Sequence, residues 1–194
     1  MEEQDSTAER NYSFGEYLPS AGIVGVIFAL LTFAIGIFFG YQQINAEPTG
    51  SYFSPSMLSG VIICLVSAFA GMVAVWHFTK EVSPVMKLGQ GAVLGFLTGA
   101  VIIILSVLLN EIWTGLIDAT YTEKIIDATI ANIEAMDIPE SAKNDAIDGI
   151  AQSMEAGNSI WSQIFWGIPI TGLVNLLTAL IGVKIFAKKP EETF

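Results

Sequence analysis

The sequence predicts an all-α membrane protein, with four transmembrane helices and an amphipathic helical insert between the third and the fourth. Three observations carry that fold class. Of 194 residues, 53% are hydrophobic and only 14% charged, and the mean hydropathy is +0.60, a balance that suits hydrocarbon better than water. Four windows each run for roughly 20 apolar residues, the length a helix rising about 1.5 Å per residue needs to cross a core about 30 Å thick. The formal charge of -11 is carried almost wholly by the segments that link these windows.

Residues 1–20 form a polar leader expected in the cytoplasm. Arg10 is its one cation, so it does not resemble the charged start of a signal peptide. A membrane domain over 21–189 follows. Its first span, 21–41, has no charged residue and is too long for a signal-peptide core, so it is read as a retained helix. Pro48, Gly50 and Pro55 then break the helix and turn the chain into a second span, 57–78. A short turn, "TKEVSPVMK", leads to the third span, 88–110. The fourth, 161–183, contains Pro169, which frees a backbone carbonyl and predicts a kink. A cytoplasmic tail, 190–194, closes the chain.

The insert, 120–159, is polar but periodic. Thr120 and Glu123 have capping-box spacing, and Ile125, Ile126, Ile130, Ile133 and Met136 then share one helical face, with Glu123, Asp127 and Glu134 opposite. Asp137 with Glu140 repeats the box, and Pro139 suits a first turn. Ala142, Ala146, Ile147, Ile150, Ala151 and Met154 form a second stripe, backed by Asp145, Asp148 and Glu155; Gly157 and Asn158 read as its stop. The insert is expected to be two short helices, the first of which could continue out of the third span. Ile126, Ile130 and Ile133 are expected to meet Ile147, Ile150 and Met154, because neither helix is long enough to be stable alone. Nine acids from Asp118 to Glu155 face two lysines, so anionic lipid would repel this segment, and no EF-hand spacing offers a calcium loop.

Orientation follows from the cations, which are retained on the cytoplasmic side. Arg10, Lys80, Lys87, Lys184, Lys188 and Lys189 fall on one side of a four-span chain, and only Lys124 and Lys143 on the other. Both termini are therefore expected in the cytoplasm, at a bacterial inner membrane, with the insert extracytoplasmic. Tyr17 and Trp76 at the inner edge, and Tyr41, Trp113, Trp161 and Trp166 toward the outer one, agree with that placement.

Within the spans, small residues recur every fourth position: Gly91, Gly95 and Gly99; Gly36 and Gly40; Ser67 and Gly71. Such faces let backbones approach, either among the helices of one chain or at a homodimer seam. No Asp, Glu, Lys or Arg falls at mid-span, although intramembrane charges commonly mark function. The candidate functional polar groups are Gln90 and Asn175, amides that need a partner on a neighbouring helix, and Glu111, at an interfacial depth beside Trp113. His77, at the inner edge of the second span, reads as a snorkelling imidazole.

Several function classes fall away. Eight cations in an acidic chain argue against nucleic acid as a partner. One cysteine, Cys64, and one histidine allow neither a disulfide framework nor an HExxH zinc helix, and no Walker loop is present. No catalytic residue, metal site or cofactor is expected. The expected partners are the lipid bilayer and the chain itself or another membrane protein. A non-enzymatic structural or interaction component is the primary reading, and a small transporter or channel subunit the alternative.

The motifs "GIVG" after the leader, "HFTKE" closing the second span, "GQGAVLG" opening the third, "LID" (Leu116 to Asp118) after it, and "FAKKP" ending the fourth span resemble the bacterial membrane family known as domain of unknown function 4199. The resemblance covers nearly the whole chain from Ala21 to Lys189. It implies a four-span bacterial protein and carries over no activity and no site residues.

Overall fold

A computed structural model describes residues 11–157 and 159–188, without the side chains of Ser56 and of 153–157. Residues 1–10 including Arg10, Asn158, Lys189 and the tail therefore lie outside the description, as do the side chains of Met154 and Glu155. Seven α-helices occur among the described residues: α1 (Phe14–Asn45), α2 (Pro55–Ala68), α3 (Ala70–Glu81), α4 (Leu88–Ile112), α5 (Tyr121–Glu134), α6 (Glu140–Gly157) and α7 (Ile160–Phe186). Four stretches are long and apolar enough to cross a membrane: Phe14–Asn45, Met57–Glu81, Leu88–Ile117 and Ile160–Phe186. Much of their apolar surface is exposed. Ile170, Leu173, Leu177, Ile181 and Ile185 run down one face of α7, an arrangement that hydrocarbon accepts and water does not. The protein is therefore a multi-pass, all-α membrane protein.

The helices extend past the apolar windows because polar end residues join their first and last turns. Ser13 stands just before α1, with its amide and hydroxyl both donating to the Glu16 carboxylate at 2.7 and 3.1 Å, the carboxylate half of a capping box that the apolar windows gave no reason to look for. The second span is two helices with a break at Phe69, where ψ of -14° tightens the chain by one residue. The third ends in a π turn, Trp113–Ile117, in which the Asp118 amide reaches back to the Trp113 carbonyl at 2.9 Å. It does not continue into the insert, because Asp118, at φ -139° and ψ 87°, leaves the helical region. In the fourth span the helix runs through Pro169.

Two compact units make up the chain. One comprises, among the described residues, 11–29, 66–104 and 167–188. Its core is Tyr17, Ala21, Val24, Ala74, Val75, Phe78, Leu94 and Ala179, with Tyr12, Tyr17 and Phe78 in mutual ring contact. Here Gly91, Gly95 and Gly99 lie against α7. A methyl group at Gly95 would overlap the Asn175 carbonyl and sit 2.5 Å from the Ala179 Cβ, and one at Gly99 would lie 2.8 Å from the Gly172 Cα. Gly71 meets the same Asn175 carbonyl from α3. The other unit comprises 30–65 and 105–166, and contains both helices of the insert. There α5 and α6 pack on one another, with Ile133 buried and Ile126, Ile130, Ile147 and Ile150 half-buried. Glu123, Asp127, Glu134, Asp145 and Asp148 are exposed.

Candidate functional site

In the second unit the insert is tied down at two places. Asp118, the acid of the "LID" motif, turns the chain out of the third span. One of its oxygens accepts the Thr120 amide and hydroxyl at 3.2 and 2.9 Å, and the other accepts the Tyr41 hydroxyl at 2.8 Å. Lys124 closes the cluster with its ammonium 3.2 Å from both. These donors, Tyr41 first and then Thr120 and Lys124, hold the Asp118 carboxyl down to about 2 from an ordinary 3.8. Thr120 therefore spends its hydroxyl on Asp118 and does not cap α5. The capping box expected with Glu123 is not formed: the Thr120 amide that the box would give to the Glu123 carboxylate goes to Asp118 instead.

Tyr121 is the first residue of α5, and its ring lies over α1. The hydroxyl occupies the space a side chain at Gly40 would need, and it donates to the Gly36 carbonyl at 3.5 Å. Gly36 itself has only ordinary contact with Ile63. Burial, with the nearby Tyr41 and Asp118, pushes the Tyr121 phenol up. The second tie is Asn132. Its carbonyl oxygen accepts the amides of Thr49 and Gly50 at 3.2 and 3.1 Å, while its amide donates to the Ser51 carbonyl at 3.0 Å. Gly50 must be glycine here: its φ is 67°, and a Cβ would strike the Ala135 carbonyl. Lys143, from α6, donates to the Glu134 carbonyl at 2.8 Å and so closes the end of α5.

Beneath Tyr121 lies a cavity of about 250 Å³, lined by Thr32, Phe33, Ser106 and Asn110. Asn110 and Ser106 are half-buried residues of a membrane span. A smaller cavity of about 230 Å³ is flanked by Glu47, Asn132 and the buried Gln43, whose Oε1 has no partner among the described residues. Sequence reading missed Asp118, Tyr121, Asn132 and Gln43. Each is an ordinary residue of a boundary or a polar face, and only a contact with a residue distant in sequence sets it apart.

The residues singled out from the sequence fall elsewhere. Asn175 is fully buried in the first unit; its Oδ1 accepts the Gly71 amide at 2.6 Å and its Nδ2 donates to the Thr171 carbonyl at 3.0 Å. It thus supplies an acceptor just past the Phe69 break, where the regular helical ladder is disturbed. Gln90 lies in the first turn of α4 and accepts the Lys87 amide at 2.8 Å. Glu111 is exposed, and Ser67 is half-buried on α2. His77 does not simply snorkel. Its Nδ1 lies 3.0 Å from the Ser20 hydroxyl. That pair has the elements of a nucleophile and a base, but Ser20 is fully buried, so the contact joins α1 to α3 and offers no substrate an approach. Among the described residues no three His, Cys, Asp or Glu side chains gather into a metal-holding group.

No curated protein and no solved structure matches the chain. A family match does exist, and it fits the four apolar spans: residues 20–184 match the family described as Protein of unknown function (DUF4199), and the chain belongs to that family.

Proposed function

We propose that this protein is a non-enzymatic interaction component of the bacterial inner membrane, with both termini in the cytoplasm and its acidic helical cap outside. The cap serves as a docking surface for a second copy or for another membrane protein; nucleic acid is not among its partners. The observation that supports this reading most directly is the way the cap is fixed. Asp118 and Asn132 fasten α5 to the end of α1 and to the loop after it, while five acids remain exposed and unspent on that anchorage. A surface held rigid before binding loses less conformational entropy when a partner arrives. The test is chemical crosslinking in native membranes followed by capture of this chain. A discrete adduct that disappears when Asp127, Asp145 and Asp148 are changed to Asn supports the reading, and an unchanged adduct pattern opposes it.

A second reading, a small transporter or channel subunit, is favoured by the cavity under Tyr121, since Asn110 and Ser106 bring polar side chains into a span. Solute uptake that depends on Asn110 and not on the exposed acids would support it.

A further inference from the structure

Three of the chain's eight cations, Lys87, Lys184 and Lys188, line one cleft of about 470 Å³ in the first unit. The rest of its wall is apolar, with Leu88, Val183 and Ala187 among the lining residues. The cleft is held in shape by the backbone. Lys188 pairs with Val85 in a parallel bridge, and its amide donates to the Pro84 carbonyl at 2.8 Å, which fixes the chain leaving α7 against the turn before α4. The Tyr12 hydroxyl braces the same turn by donating to the Val85 carbonyl at 2.7 Å. Lys87 also stands at the start of α4, the positive end of a 25-residue helix. All three lysines are exposed, and none meets a carboxylate among the described residues.

From this juxtaposition we infer that the cleft is a binding site for the headgroup and glycerol region of an anionic phospholipid. The lysines neutralise the phosphodiester and the apolar wall receives the start of the acyl chains. Lysines that merely snorkel need only a helix end. Here two helix ends and a bridged segment bring three ammonium groups around one concave, half-apolar surface, which matches an amphipathic ligand. The sidedness expected from the cations puts the cleft at the cytoplasmic leaflet, where anionic lipids concentrate. Retention of cations on that side accounts for their sidedness, and the cleft adds that three of the eight share one concave surface.

The experiment is native mass spectrometry of the purified full-length protein from mixed micelles of phosphatidylglycerol and phosphatidylcholine, counting the lipids retained. The parent should retain phosphatidylglycerol preferentially. Each lysine near an anionic headgroup contributes about fivefold, so Lys87→Gln should weaken the preference by about that factor, and the triple Lys87→Gln, Lys184→Gln, Lys188→Gln by on the order of a hundredfold. Lys80→Gln, which carries the same charge loss outside the cleft, should change it little. The triple Lys→Arg variant should keep the preference, so misfolding of the Gln triple would leave the single variants and the Arg variant to decide. Equal retention of both lipids by the parent overturns the inference, as does equal loss in Lys80→Gln and Lys87→Gln. Displacement of the lipid by millimolar inorganic phosphate would point to a free-phosphate site and overturns it too.

Discussion

Replacing Asn175 by Ala removes the acceptor for the Gly71 amide at the point where the second span is broken. That bond is short, 2.6 Å, and Asn175 is fully buried, so water cannot take its place. An interhelical hydrogen bond in a membrane protein is worth about 0.6 kcal/mol on average and up to roughly 1.7, whereas a buried amide left without a partner costs about 1–3 kcal/mol. The small cavity adds a few tenths of a kcal/mol at about 24 cal/mol per Å³. The middle of the range applies because α3 meets α7 by backbone at Gly71 and the one hydroxyl beside it, that of Thr178, is already engaged with the Asn175 carbonyl at 3.1 Å. A loss of about 2 kcal/mol, or roughly thirtyfold in the folded-to-unfolded ratio, is expected. Thermal unfolding in detergent measures it, and hydrogen exchange locates it: the Gly71 amide, slow in the parent, should exchange quickly in Asn175→Ala. Thr178→Val, which loses only a hydroxyl bond to the carbonyl of Asn175 on its own helix, should be close to neutral. If Asn175→Ala were as stable as the parent, with the Gly71 amide still protected, the clamp would have no energetic role.

Other outcomes follow from the same contacts. Gly95→Ile and Gly99→Ile should lower the yield of folded protein by forcing α4 away from α7, while Val93→Ile, at an exposed position, should be tolerated; equal damage at both would remove the packing role. The Asp118 carboxyl is depressed in the folded protein, so its anchorage contributes fully above the ordinary 3.8 and is lost as pH falls through about 2. Protease sensitivity of the cap should therefore rise between those values and stay flat from pH 5 to 8, and Asp118→Asn should be sensitive at every pH. Ile130→Asp should open the cap to protease by placing a charge between α5 and α6, whereas Asp148→Asn on the exposed face should not.

The fold class was legible because the bilayer imposes it: a span must be apolar for its whole length, and the four windows satisfy that one local condition. The insert's helices were legible for the same local reason, a 3.6-residue period. What escaped the sequence was pairing across distance. Asn175 stood out as an amide in a span, but its partner is the backbone of Gly71, 104 residues away, and no side chain advertises it. Tyr121 resembles any interfacial tyrosine until Gly40 is found beneath its hydroxyl. Ser13 with Glu16 and Thr120 with Glu123 have the same spacing, yet only at Ser13 does the later carboxylate take the earlier amide. Asp118, two residues before Thr120, competes for the amide there, and nothing comparable precedes Ser13 closely among the described residues. Local rules name the candidate partners, and the tertiary neighbours choose between them.

The most direct test of the central claim, a membrane protein that holds its folded acidic cap outside the cell membrane, is thiol accessibility on both sides of that membrane. In a Cys64→Ser background, needed because the native thiol is exposed, Asp145→Cys and Glu191→Cys are each treated with a membrane-impermeant reagent. Asp145→Cys should label in intact spheroplasts, and Glu191→Cys only after lysis. Labelling of Glu191→Cys in intact spheroplasts with Asp145→Cys protected would invert the topology and contradict the claim.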